Sequence, residues 1–99
     1  MYLYEAIISK INEPQFKGYM VDFPDFDTST CGATIEEASY MAHDLLKTEI
    51  AFALTEGEKL PKATFGHKTK PNETVVLVSV EVTQGEASER FPHKEAALN

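Results

Sequence analysis

The chain has 99 residues, enough for one domain with a single hydrophobic core, and its 42% hydrophobic content argues against a disordered protein. Cys31 is the only cysteine, which excludes an intrachain disulfide, and no apolar run approaches the length of a membrane span, so we expect a cytoplasmic protein. A net charge of −7 disfavours nonspecific binding to nucleic acid and favours a basic partner, although solubility alone would also account for it.

The first third of the chain predicts three strands in an antiparallel meander. Tyr2–Ile11 is rich in aromatic and β-branched residues, and turn residues around Pro14 separate it from an alternating strand over Phe16–Phe23. Pro24 ends this second strand because it lacks an N–H group. Asp27–Ala33 predicts a weaker third strand.

A long helix is predicted to follow. Thr34 and Glu37 have the spacing of a capping box, in which the Thr34 hydroxyl accepts the Glu37 N–H and the Glu37 carboxylate accepts the Thr34 N–H. Gly57 and then Pro61 end the helix. The residues at helical spacing that we expect to pack on the sheet are Ile35, Ala38, Met41, Ala42, Leu45, Phe52 and Ala53.

A second apolar stripe on this helix is predicted to face away from the core. It consists of Leu46, Ile50 and Leu54, spaced four residues apart. Exposed aliphatic residues in a row favour contact with another chain, so we predict an oligomer interface here. The alternative is that the loop between Lys59 and Lys70 folds over them.

Residues 61–72 form a polar connection to the strongest strand of the sequence, Thr74–Val82. Its apolar density predicts an interior position in the sheet. Beyond it the pattern stops, so residues 1–82 are expected to form the domain and residues 83–99 a short, loosely ordered acidic tail. The order β-β-β-α-β predicts an α+β, two-layer fold, with a long helix packed on an antiparallel meander and the fourth strand beside the first.

No pattern in the sequence predicts a metal or cofactor site. The three histidines lie far apart and lack the spacing of a zinc ligand set. Glu5, Glu49 and Glu81 could meet and hold Mg²⁺ for phosphodiester hydrolysis, which leaves a weak ribonuclease as one alternative. Glutamates in such positions usually keep their carboxylates in solvent, and the chain is predicted not to be an enzyme.

The residues around Pro24 are the best candidate for a binding site. Three carboxylates and two phenylalanines surround a rigid turn in the segment Asp22, Phe23, Pro24, Asp25, Phe26 and Asp27, here called the acidic elbow. Its carboxylates could pair with lysine or arginine beside an exposed aromatic ring. The segment could instead serve structure alone, with Phe23 in the core and an aspartate capping the turn.

Several of these segments, in this order, resemble the HicB antitoxin family. They are Gly18–Asp25 (Gly-Tyr-x-Val-x-Phe-Pro-Asp), Thr30–Thr34 (Thr-x-Gly-x-Thr) and Glu36–Ala38, and the resemblance extends from Tyr2 to Val82. It implies a partial RNase H-like fold without a nuclease active site. It also implies a partner of the HicA type, a small basic mRNA-cleaving toxin that the antitoxin covers and inhibits. We expect the acidic elbow to pair with the RNA-binding lysines of that toxin.

The chain departs from the family at its C-terminal end. Many members append a helix-turn-helix or ribbon-helix-helix module that binds operator DNA, whereas residues 83–99 are too short and too poorly patterned for either. Direct DNA binding is therefore not expected, and a homodimer or higher homo-oligomer would have to form through the core. The remaining alternative is an orphan adaptor or regulator that binds another protein.

Overall fold

The computed structural model describes residues 1–83 and residue 85, so the predicted tail lies almost entirely outside the described residues. The elements are β1 (Tyr2–Asn12), β2 (Lys17–Phe23), β3 (Thr28–Gly32), α1 (Ile35–Glu56) and β4 (Glu73–Val80). The order β-β-β-α-β and the α+β class are as predicted.

The four strands form one antiparallel sheet in the order β3-β2-β1-β4. β1 pairs with β4 from Tyr2 to Ser9, but with β2 only from Ile7 onward. β2 ends at Phe23, so the first residues of β1 have a strand on one side alone among the described residues. We call this open side of β1 the notch.

The fourth strand lies beside the first, as predicted, but its predicted interior position is wrong. β4 forms an edge of the sheet. Val78 and Val80 are buried in the core on one face, whereas Leu77 on the other face is 58% exposed. The apolar density of the strand therefore reflects burial of one face and not a neighbour on each side.

Both ends of α1 follow from local chemistry. The Glu37 N–H donates to the Thr34 hydroxyl at 3.1 Å, as predicted, while the Glu37 carboxylate accepts the N–H of Ala33 and not that of Thr34. Gly57 ends the helix in the left-handed conformation (φ 70°), and the N–H of Glu58 donates to the Ala53 carbonyl. Glycine suits this position because it has no Cβ to clash.

A single core lies between α1 and one face of the sheet. Its buried members are Tyr4, Ala6, Val21, Phe23, Ala38, Ala42, Leu46, Ile50, Val78 and Val80. Side chains of a strand alternate between faces, so Glu5, between Tyr4 and Ala6, lies on the face opposite α1.

The prediction that Leu46, Ile50 and Leu54 face away from the core is wrong. Leu46 and Ile50 are fully buried, and Leu54 is partly buried against the core, so these side chains do not form an outer surface for another chain. Of the residues predicted to pack inward, Ile35 and Phe52 are instead 45% and 43% exposed.

The start of α1 approaches β3 closely. A Cβ atom on Gly32 would lie 2.4 Å from the backbone nitrogen of Ala38, so the start of the helix sits directly on that strand. The residues of α1 in the core occur at every fourth position. Small Ala38 and Ala42 lie where the helix is close to β3, and larger Leu46 and Ile50 follow further along the helix.

Candidate functional site

The acidic elbow is a compact double turn between β2 and β3. The N–H of Phe26 donates to the carbonyl of Phe23, and the N–H of Asp27 donates to that of Pro24. Asp27 has a φ of 51°, in the left-handed region that aspartate tolerates better than most residues. The two turns fix the direction in which the aspartates leave the backbone.

The phenylalanines of the elbow serve packing. Phe23 is 1% exposed and belongs to the core. Phe26 is partly buried and packs edge-to-face on Tyr4, with ring centroids 4.7 Å apart. Neither ring is the exposed aromatic surface that the sequence predicted for contact with a partner.

The three aspartates of the elbow have different environments. Asp25 accepts hydrogen bonds from the Thr64 N–H at 2.9 Å and from the Thr64 hydroxyl at 2.5 Å. Asp22 and Asp27, with Pro24, line a surface pocket of about 270 Å³. Asp22 and Asp27 therefore border this pocket at the surface, whereas Asp25 fastens the elbow to the rest of the molecule.

The segment that Asp25 holds is the returning loop, residues 58–72, which connects α1 to β4. Tyr4 donates its hydroxyl to the carbonyl of Pro61 on the α1 side of the sheet. Glu5, on the opposite face, accepts the N–H groups of Gly66 and His67. The loop therefore passes through the notch from one face of the sheet to the other.

A line of four polar side chains runs along this crossing, in the order Asp25, Thr64, His67 and Glu5. His67 Nε2 lies 3.0 Å from the Thr64 hydroxyl, and His67 Nδ1 lies 2.6 Å from Glu5 Oε1. The Thr64 proton is given to Asp25, so that hydroxyl accepts from the ring. The ring of His67 therefore links the Thr64 hydroxyl to the Glu5 carboxylate.

The electrostatics of this crossing favour a charged glutamate and a neutral tyrosine. The N–H of Gly66 lowers the pKa of Glu5, and the ring and N–H of His67 lower it further. Burial raises the pKa of Tyr4, and the nearby Asp25 carboxylate adds to that rise. These groups hold the loop in place, and sequence reasoning missed them.

Two features of the sequence could have identified the role of Glu5. Its carboxylate lies within an apolar strand, and the backbone N–H groups of Gly66 and His67, adjacent in the loop, need an acceptor. The sequence suggested Glu5 instead as a magnesium ligand with Glu49 and Glu81. Glu5 and the helix that bears Glu49 lie on opposite faces of the sheet, and Glu81 is exposed beyond the end of β4. Within residues 1–83 and 85, no three metal-binding side chains come together.

The chain matches the model of a known family, and its fold is similar to that of a solved structure. The chain is similar in fold to a chain of a "Toxin-Antitoxin complex from Streptococcus pneumoniae", with a TM-score of 0.67 and 17% identity over 99% of this chain and 90% of that one. No curated protein matches. In the described part of the chain, no helix has the length and hydropathy that a membrane crossing requires.

The family model that matches is described as the HicB-like antitoxin of bacterial toxin–antitoxin systems, and its match runs over residues 4–84. That range holds β1 from Tyr4 onward, the other three strands, the helix, the acidic elbow and the returning loop. This chain belongs to the HicB-like antitoxin family.

Proposed function

We propose that this protein is the antitoxin of a type II toxin–antitoxin pair, and that it inhibits a small basic mRNA-cleaving toxin of the HicA type by binding to it in the cytoplasm. Membership of the HicB-like family supports the antitoxin role. The net charge of −7 supports a basic partner, because opposite charges accelerate and orient association. Inhibition is by occlusion of the toxin, with no catalysis by this chain.

The observation that carries this proposal is the arrangement of Asp22 and Asp27. Both line the pocket beside Pro24, and within the described residues neither carboxylate accepts a hydrogen bond or forms an ion pair. Unpaired carboxylates on a rigid turn can each accept charge-assisted hydrogen bonds from lysine or arginine.

Rigidity of the elbow matters as much as its charge. Its two turn hydrogen bonds and the Asp25–Thr64 contacts hold the backbone before any partner arrives. A surface that is already ordered loses less conformational entropy on binding. Within the segment predicted to bind the toxin, we therefore expect Asp22 and Asp27 to contact it. Asp25, Phe23 and Phe26 hold the backbone that carries them.

The test is co-expression with a small basic HicA-type toxin, followed by measurement of binding kinetics and of RNA cleavage. We expect a stable complex in which cleavage stops near a one-to-one ratio. The double variant Asp22→Asn with Asp27→Asn should bind at least about tenfold more weakly, mainly through a slower association rate, and its binding should depend less on salt.

The matched control is Glu13→Gln, which removes an exposed carboxylate from the β1–β2 turn. This turn lies at the opposite end of β2 from the elbow. The affinity of the Glu13→Gln variant for the toxin should equal that of the wild-type protein. Glu13→Gln removes one negative charge and the elbow variant removes two, so a loss of binding free energy half as large in this control would reduce the role of the elbow to overall charge. The absence of any complex would contradict the toxin proposal and favour an adaptor with another partner.

A further inference from the structure

The edge strand β4 has the properties of a strand that pairs with another chain. It is eight residues long, and no described strand lies on its outer side. Natural edge strands are usually protected by charge, proline or a bulge, but the run from Thr74 to Val80 contains no charged residue and no proline. The other edge, β3, is only five residues long and is polar.

The surfaces on both sides of β4 are also apolar. On the α1 side, a groove of about 410 Å³ runs between the helix and the strand, with Val76 and Ile35 among its walls. Its charged or titratable lining residues are Lys10, Tyr19 and His43, and no carboxylate lines it among the described residues. On the opposite face, Leu77 is 58% exposed, and its neighbour Glu5 on β1 is buried and bound by Gly66 and His67. From Thr74 to Val80 the strand itself carries no negative charge, in a chain that has 16 acidic residues.

We propose that β4 pairs in antiparallel fashion with β4 of a second copy of this chain, about a two-fold axis at Val76. Copies with a charge of −7 repel one another, so association is favoured through a surface where carboxylates are few or are paired with lysine. The two outer rows of backbone N–H and C=O groups satisfy each other, and the two sheets become one sheet of eight strands.

The residues that flank β4 fix this register. Lys70 precedes the strand in a turn, in which its carbonyl accepts the Glu73 N–H, and Glu81 directly follows the strand. Pairing about Val76 brings Glu81 of each copy beside the Lys70 turn of the other, which gives two symmetric opposite-charge contacts. Pairing about Leu77 would instead place Glu73 directly opposite Glu81, an unfavourable like-charge pair.

The same register buries the apolar surfaces of β4. Leu77 lies opposite Val75 of the second copy on the face away from α1, and Val76 lies opposite its own equivalent on the groove side. Both helices lie on the same side of the joined sheet, because residues opposite each other point to the same face. The acidic elbow connects β2 and β3, at the opposite edge of the sheet from β4. The proposed dimer interface and the proposed toxin contact therefore use different residues, and either proposal can be refuted without the other.

The first test is charge exchange, read by sedimentation velocity over a concentration series of the full chain. Lys70→Glu and Glu81→Lys should each weaken the dimer at least about tenfold, because each replaces two symmetric attractive contacts with repulsive ones. The double variant should restore the wild-type constant. Lys70→Glu makes the chain more acidic and Glu81→Lys less so, so an effect of net charge alone would shift the two in opposite directions.

The second test separates the edge from the rest of the same face. Leu77→Glu should abolish the dimer, whereas Met20→Glu, on a 38% exposed residue of the same face of β2, should not. In a Cys31→Ser background, Val76→Cys should cross-link to its own equivalent with a short bismaleimide. A wild-type chain that stays monomeric, or a dimer indifferent to these variants, overturns the proposal.

Discussion

Replacing Leu46 with alanine tests the assignment of the helix face directly, because the sequence predicted this side chain to be exposed and the structure buries it completely. The change removes three carbons from the core, which corresponds to about 2.4 kcal/mol of lost transfer free energy at about 0.8 kcal/mol per carbon. The cavity left behind adds to this loss, so we expect the free energy of unfolding to fall by about 3–4 kcal/mol.

That loss is large against the stability of a domain of this size, which is about 5–15 kcal/mol. It should lower the Tm by about 12–30 °C, and urea unfolding followed by circular dichroism would measure the free energy itself. The control is Tyr40→Ala on the same helix, where the side chain is 70% exposed, and it should change stability by no more than about 0.5 kcal/mol. If Leu46→Ala were as harmless as this control and instead altered self-association, the helix would present the face that its periodicity suggested, and the core described here would be refuted.

Two further outcomes follow from close contacts in the fold. Gly32→Ala should destabilise the protein by at least about 1–3 kcal/mol in the same assay, because the new Cβ would meet the backbone of Ala38; unchanged stability would mean that α1 does not sit on β3. The pKa of Glu5 is lowered in the folded state, so its contribution is present above the ordinary glutamate value of about 4.3 and is lost as pH falls through the lower folded value. Wild-type protein should therefore lose more stability than Glu5→Gln on acidification below about pH 4.3, and parallel pH profiles would contradict the role given to the Gly66 and His67 contacts.

The elements that the sequence predicted well are those with local causes. Thr34, Gly57 and Pro24 end or begin their elements through groups within a few residues of themselves, and the strand segments alternate in a way that only one register satisfies. These signals were enough for the order of the elements and for the place of β4 beside β1.

The errors have long-range causes. The face of α1 that meets the sheet lies between the two stripes that its periodicity suggested, since Ala38 and Ala42 of one stripe and Leu46 and Ile50 of the other are all in the core. The role of Glu5 depends on Gly66, which is 61 positions away, and no periodicity links the two. In the elbow, the sequence could not assign Asp25 to a supporting role, since its partner Thr64 lies 39 positions further on.

The sheet order also has a consequence for the time course of synthesis. β1 is a central strand, yet it is the first element to be made, and its partner β4 is the last of the described elements, with Ser9 facing Glu73 and Tyr2 facing Val80. At about 5–20 residues per second, a ribosome takes about 3–12 s to add residues 13–72, which separate these strands. During that interval Glu5 lacks the loop that holds it and one side of β1 is open. The nascent chain therefore presents an unpaired central strand until its final third has emerged, and a chaperone or a partner that binds exposed strands would act in that interval.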